Sequence, residues 1–168
     1  MQIGVLSDTH GYVDDQLFHF FNKCEEVWHA GDIGSMEVVE KLTRHFSVIA
    51  VSGNIDGGEI RNLFPGHQRL TRDGLDIWMT HIGGYPGNYD RRIRNEILEK
   101  PPGLFISGHS HILKVIPDSS LQLLHINPGA AGYHGMHLVR TAVRFEIVDS
   151  KVQDVEIIEL GPRSVRMK

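Results

Sequence analysis

The chain has one cysteine, Cys24, so no internal disulfide can form, which suits a reducing compartment. Cys24 falls near the end of an expected helix and reads as a core filler. Basic excess is also missing: 17 Lys and Arg against 21 Asp and Glu give a formal net charge of -4 and a pI near 6.2. That leaves no electrostatic footprint for gripping a nucleic-acid backbone and is compatible with small substrates or a local basic pocket. No apolar run approaches the roughly 20 residues of a membrane span, and no basic segment followed by an apolar stretch opens the chain. Together these absences argue against a membrane span, a disulfide scaffold and a nucleic-acid binder, so we expect a soluble, cytoplasmic protein. There are no internal repeats, low-complexity tracts or linkers, and the 168 residues are expected to form one domain over positions 1–168. A homo-oligomer is left open.

What is present begins with an apolar strand, Ile3-Gly4-Val5-Leu6, running into Ser7-Asp8-Thr9-His10-Gly11. If the chain stays extended, alternate residues share a side, and Asp8 and His10 project together. Helix-spaced apolar residues follow at Leu17, Phe18, Phe20 and Phe21. Residues 26–32 repeat the opening design, a short apolar strand and then Gly31-Asp32. A second helix is expected from Ser35 as N-cap through Val38, Val39 and Leu42, and a third strand over residues 47–52 ends in Gly53-Asn54. Strand, helix, strand, helix, strand is the signature of a parallel sheet.

The second half differs. Residues 68–71 and 76–80 read as a hairpin around Asp73-Gly74, ending at His81. Residues 82–88 form a glycine-rich loop, residues 90–100 a helix with Ile93, Ile97 and Leu98 inward, and Pro101-Pro102 its end. Another strand runs into Gly108-His109-Ser110-His111, and the remainder is rich in strands, with turns at residues 117–120 and 149–151. This order suits two sheets with helices outside.

Asp8, His10, Asp32, Asn54, His81, His109 and His111 each follow an expected strand, where α/β sheets place their ligand crevice. Seven oxygen and nitrogen ligands exceed one ion's needs and suit two, with a carboxylate such as Asp32 able to bridge. Gly31, Gly53 and Gly108 would let the backbone turn sharply beside them. His29, His125 and His134 belong to no ligand motif and read as core or solvated residues, as do His19, His45 and His67.

Asp8-Thr9-His10, Gly31-Asp32, Gly53-Asn54, His81 and Gly108-His109-Ser110-His111 resemble the successive motifs of the calcineurin-like metallophosphoesterases. Chain length and Asn127-Pro128-Gly129 point to their small bacterial and archaeal phosphodiesterase branch, to which the eukaryotic retromer scaffold subunit is also similar. The resemblance implies a four-layer αββα sandwich of two mixed β-sheets flanked by helices. It also implies a catalytic site on Asp8, His10, Asp32, Asn54, His81, His109 and His111, holding two divalent ions. One ion would sit on Asp8, His10, Asp32 and His111, the other on Asp32, Asn54, His81 and His109. The implied ion is manganese, with Fe, Co, Ni and Zn also compatible with such ligands. The implied activity is hydrolysis of a small phosphodiester by a hydroxide bridging the ions. Alternatives are a phosphomonoesterase of the same fold and an inactive scaffold or binding protein.

The chain departs from these relatives in two places. Ile55 stands where many carry a histidine after Gly-Asn, and His81 is followed by Ile82 before Gly83-Gly84 rather than directly by glycine. Residues 83–88, Arg91, Arg92, Arg94 and His137 are further candidates for substrate contact.

Overall fold

Along β1 (Gln2–Leu6), Ile3 and Val5 enter one apolar core while Leu6 enters another. A strand with both faces buried has helices or a second sheet on each side. The computed structural model describes residues 1–164; the last four residues of the expected 1–168 domain lie outside the described residues. After β1 come α1 (Asp15–Phe20), β2 (Glu26–His29), α2 (Met36–Thr43), β3 (Ser47–Ala50) and α3 (Gly58–Leu63). The chain continues through β4 (His67–Arg72), β5 (Leu75–Thr80), β6 (Gly84–Tyr85), β7 (Asn88–Tyr89), α4 (Arg94–Glu99) and β8 (Leu104–Ile106). It closes with β9 (Leu113–Asp118), β10 (Leu123–Pro128), β11 (Val139–Val148) and β12 (Lys151–Pro162).

One sheet has the order β12-β11-β1-β2-β3 and the other β4-β5-β8-β10-β9, and both are mixed. β1, β2 and β3 pair in parallel, as the strand-helix alternation requires, while β11 adds antiparallel to β1. The central core is built from both sheets: Ile3, Val5, Trp28, Val143 and Phe145 meet Ile77, Met79, Leu104, Ile106 and Ile126. Behind the first sheet, Leu6, Val27 and Ala50 pack on Leu17, Phe21, Val38 and Leu42 of the helical side. Behind the second, Trp78 and Phe105 pack on Ile93 and Ile97. Three cores between four layers make the αββα sandwich.

Several local expectations are corrected. The helix expected over residues 90–100 shrinks to α4, because Asp90 accepts the Arg92 N–H on its side chain and the Ile93 N–H on its carbonyl, making a turn first. Leu98, expected inward, is 54% exposed, since one helical step past Ile97 carries it off the buried face. α3 was not expected, as Gly57-Gly58 masks it, yet Ile60 anchors it in the core. The loop over residues 82–88 contains one arm of the short β6-β7 hairpin and part of the other. β9 runs through Pro117, tolerated because β9 is an edge strand. Ser35 does occupy the N-cap of α2, but its hydroxyl makes no capping bond. Cys24 is half-buried against the helical core, and burial pushes its thiol up to about 11.

His29 and His125 are core residues, as expected. His29 Nδ1 accepts the Gly31 N–H, which leaves Nε2 to donate to Thr9 Oγ1 at 2.9 Å. His125 contacts Ser107 Oγ at 3.0 Å. Burial pushes both rings down to about 4, so they fold neutral. Because the folded values lie below the ordinary value of about 6.5, the unfolded chain binds more protons between pH 6.5 and 4. Stability is therefore full above that window and lost as pH falls through it, each ring contributing a slope of up to about 1.4 kcal/mol per pH unit. Chemical denaturation of the metal-free protein from pH 7 to 4 should show the loss, with a shallower slope in His125→Gln; an unchanged slope would mean that His125 is not buried neutral.

Candidate metal centre

All seven expected site residues leave the C-terminal ends of strands: Asp8 and His10 after β1, Asp32 after β2, Asn54 after β3, His81 after β5, and His109 and His111 after β8. Five of them do not get there by extension. Asp8, His10, Asp32, His109 and His111 have φ of 54°, 47°, 54°, 65° and 57°, in the left-handed region. Asp8 and His10 are thus aimed by two left-handed turns, and the alternating geometry expected of a continued strand is corrected. Such residues cost of order 1 to 3 kcal/mol each and persist where the surroundings over-determine them. Here they do. Asp8 N–H donates to the Gly31 carbonyl (3.0 Å), His10 N–H to the Asp32 carbonyl (3.1 Å) and Gly11 N–H to the Ile33 carbonyl (2.8 Å). From the other sheet, His109 N–H donates to Asp8 Oδ2 (3.1 Å) and Gly108 N–H to the His81 carbonyl (2.9 Å).

Two groups of ligand atoms result, Asp8 with His10 and His111, and Asp32 with His81 and His109, each within 4.8 Å internally. They share a centre. His111 Nε2 lies 3.0 Å and His10 Nε2 3.9 Å from Asp8 Oδ1, His81 Nε2 3.2 Å from Asp32 Oδ1, and His10 Nε2 3.8 Å from Asp32 Oδ2. Asn54 is exposed and borders, with His81, a cavity of about 380 Å³ beside the second group. A Cβ on Gly53 would overlap Asp32 Oδ1, so only glycine lets that loop close on the carboxylate.

Hydrogen bonding prepares the rings as ligands. His81 Nδ1 faces the Ala30 carbonyl at 2.8 Å, so in the neutral ring that nitrogen carries the proton and Nε2 presents its lone pair. His137 Nε2 faces the Gly132 carbonyl at 3.0 Å, and its bare Nδ1 lies 3.2 Å from His111 Nδ1. The proton is then on His111 Nδ1, and Nε2 faces Asp8 with a lone pair. With the ring in that neutral form, two acceptors 3.0 Å apart repel unless a proton or a metal cation joins them. Asp8 Oδ1, His10 Nε2 and His81 Nε2 are, moreover, buried without an aligned hydrogen-bond partner, a costly state that a divalent ion would relieve. The residues fit a metal.

Charge agrees with this. Burial opposes ionisation of Asp8, but the His111 and His81 rings outweigh it and hold the carboxyl below its ordinary range. Asp32 is buried too, and His81 and the Ile55 N–H likewise bring it down. Burial pushes His10, His109 and His137 down, toward neutral rings. His81 moves up despite its burial, because Asp32 and Asp8 stabilise its proton. A metal must displace that proton, so metal affinity decreases as the pH is lowered.

The surroundings include residues that motif reading passed over. Buried Asp56 accepts N–H bonds from Gly34 (2.8 Å) and Gly53 (2.7 Å), and Arg61 spans the carbonyls of Gly53, Asn54 and Asp56. Asn127 Nδ2 donates to the Gly108 carbonyl at 2.8 Å, which holds the His109 turn. His134, read as core or solvated, is exposed and stacks on His10 at 4.7 Å between centroids. His137 meets His111 rather than open space. Arg92 lines the cavity with Ile82, whereas Arg91, Arg94 and residues 83–88 do not. Of these, Asn127 lies in the Asn-Pro-Gly segment and Arg92 and His137 are among the expected substrate contacts, whereas Asp56 and Arg61 carry no signal in the sequence.

A family model of the calcineurin-like phosphoesterase superfamily domain matches residues 1–150. A probable metallophosphoesterase of Methanothermobacter thermautotrophicus is 29% identical, over 96% of this chain and 94% of that protein. A phosphodiesterase of Methanocaldococcus jannaschii is 27% identical, over 79% of this chain and 86% of its own length. In fold, the chain is similar to wild-type Vps29 of Entamoeba histolytica complexed with zinc, at a TM-score of 0.71 and 17% identity, over 98% of this chain and all of that one.

Asp32 turns one oxygen toward His81 and the other toward His10, so Asp32→Asn should weaken two ions together. Titration calorimetry of the metal-free protein with Mn2+ should give two sites in the wild type; saturation at one would overturn a shared centre. His137→Ala should lower affinity by about 10- to 100-fold, the usual effect of removing a ligand's hydrogen-bond partner. Melting of the metal-free variant should stay near wild type, and unchanged Mn2+ affinity would mean that His137 does not orient His111.

Proposed function

The chain belongs to the calcineurin-like phosphoesterase superfamily, and from that premise we propose that it is a metal-dependent phosphodiesterase acting on a small substrate through two divalent ions. The observation that carries this reading is the pair of ligand groups joined across one centre, with buried ligand atoms left unpartnered. We assign one ion to Asp8, His10, Asp32 and His111 and the other to Asp32, Asn54, His81 and His109. The chemistry an ion pair supplies when bound is neutralisation of the phosphoryl oxygens and a lowered pKa of water, which makes water a nucleophile near pH 7. The mixed Asp, Asn and His donors suit Mn, Fe, Co, Ni or Zn, and we favour manganese.

The chain's own residues hold and orient. Asp8 and Asp32 are kept ionised, and His81 and His111 are fixed by Ala30 and by His137. Ile55 contributes only its N–H, donated to Asp32 Oδ1 at 3.1 Å, and its half-exposed side chain offers no proton to a departing oxygen. A reading as scaffold or binding protein has the fold likeness to Vps29 behind it, but every ligand that such a protein could dispense with is present here. We place the activity in the cytoplasm, on the reducing conditions that a single half-buried cysteine suits. Among the described residues, no helix is long and apolar enough to cross a membrane.

Manganese-loaded protein should hydrolyse bis(p-nitrophenyl) phosphate, and His109→Ala, whose ring is surface-accessible, should abolish most of that activity with little change in metal-free melting. General-acid help typically contributes about 10² to 10⁴ in rate. Without it at position 55, aryl diesters should be cleaved far faster than alkyl diesters, with a steep dependence on leaving-group pKa. No metal-dependent hydrolysis of any diester would overturn the reading, and a flat dependence would mean that another group assists the leaving oxygen.

A further inference from the structure

The cavity beside Asn54 and His81 is lined by Arg61, His67, Thr80 and Arg92, and no carboxylate lines it, although the chain as a whole carries a formal charge of -4. The formal charges among its lining residues are the guanidinium groups of Arg61 and Arg92, next to the centre assigned above. Its volume, about 380 Å³, lies in the range of small-ligand sites and is too small for a polymer groove.

Arg61 is exposed, but its guanidinium is braced by the loop beside it. Its Nε donates to the Asp56 carbonyl at 2.7 Å, and its Nη2 to the carbonyls of Gly53 at 3.3 Å and Asn54 at 3.1 Å. Three carbonyls thus fix one edge of the guanidinium and tie it to the loop that carries Asn54. The Nη1 amino group, with two N–H donors, has no protein partner among the described residues. Arg92 lines the same cavity, but its Nε and Nη2 are held by Asp90 at 2.7 and 3.1 Å, which offsets its charge. Arg61 is accordingly the anchor and Arg92 the rim.

A fixed guanidinium edge with free donors, in a small cavity without carboxylates, matches the oxygens of a phosphate group. The scissile phosphodiester belongs at the metal ligands, and because Asn54 and His81 also border the cavity, the part of the substrate adjoining that diester would enter it and meet Arg61. We propose that it is an anion subsite, and that the substrate of this protein is a diester carrying a further phosphate on one of its arms. The subsite rests on the phosphodiesterase reading for its orientation, though not for its ability to bind phosphate.

The test compares thymidine 5′-(p-nitrophenyl phosphate) with its 3′-phosphorylated counterpart, which releases the same nitrophenolate and differs by one phosphate. With manganese-loaded wild type, the added phosphate should lower KM about tenfold, the size of one charge-assisted hydrogen bond, with little change in kcat. Arg61→Gln should bring the ratio of the two kcat/KM values toward one, and Arg61→Lys should restore part of it. Because Arg61 also braces the Asn54 loop, both rates are free to fall in these variants, and the ratio is what is read. Equal KM values in the wild type would overturn the subsite while leaving the phosphodiesterase reading intact. If neither compound nor bis(p-nitrophenyl) phosphate is hydrolysed, that reading fails, and calorimetry decides the subsite separately. Thymidine 3′,5′-bisphosphate should then bind about tenfold tighter than thymidine 5′-phosphate, a preference lost in Arg61→Gln, and equal affinities would overturn the proposal.

Discussion

Everything at the strand ends depends on the backbone hydrogen bonds that lock the turn after β1 onto the turn after β2. Donation from Asp8, His10 and Gly11 to Gly31, Asp32 and Ile33 makes two left-handed turns run side by side. The second sheet joins through the His109 N–H on Asp8 Oδ2. Left-handed backbone is tolerated by Asp, Asn and His better than by most residues. The residue types that bind metal are therefore also those that can sit in these turns, and both demands select the same side chains. Strain and function are one feature here, stabilised by three cores that hold the strand ends rigid.

A second consequence follows for the loop bearing His134 and His137. It is pinned near His10 by Arg140, whose buried guanidinium donates to Asp14 Oδ2 at 3.0 Å and lies 4.1 Å over the Tyr133 ring. Asp14 also caps α1 by accepting the Gln16 N–H, and Arg140 donates to the Leu160 carbonyl. A buried pair of this kind is weak as a source of stability but costly to break, because the survivor is left charged and unpaired. Its value here is positional: it brings β11, the β1-α1 connection and the residue 129–137 loop to one place, so that His137 can reach His111.

The layered architecture could be read from the chain because it rests on local periodicity. Short continuous apolar runs in β1, β2, β5 and β8, separated by helix-spaced apolar residues, suit two sheets with covered outer faces whatever the details of the turns. The elements that escaped were those whose stability is not local. α3 begins with glycine and is held by Ile60 in the core and by Arg61 on loop carbonyls. The start of the helix expected at residue 90 is taken over by an Asp90 side-chain turn.

The same division holds for the site. The sequence alone determined which residues stand at the strand ends, Asp8, His10, Asp32, Asn54, His81, His109 and His111, because a strand's end and a polar residue after it are both local signals. Their division between two ions is what family resemblance implies; the fold gathers Asp8 with His10 and His111, and Asp32 with His81 and His109, while Asn54 stays exposed at the edge of the neighbouring cavity. Only the tertiary structure decided how they are aimed, five of them through left-handed turns rather than extension. It alone set His134 against His10, His137 against His111, and Asp56 and Arg61 around the Asn54 loop. His10 and His134, or His111 and His137, are far apart along the chain, and no periodicity links them. Such contacts exist only once two sheets have packed and left their strand ends face to face.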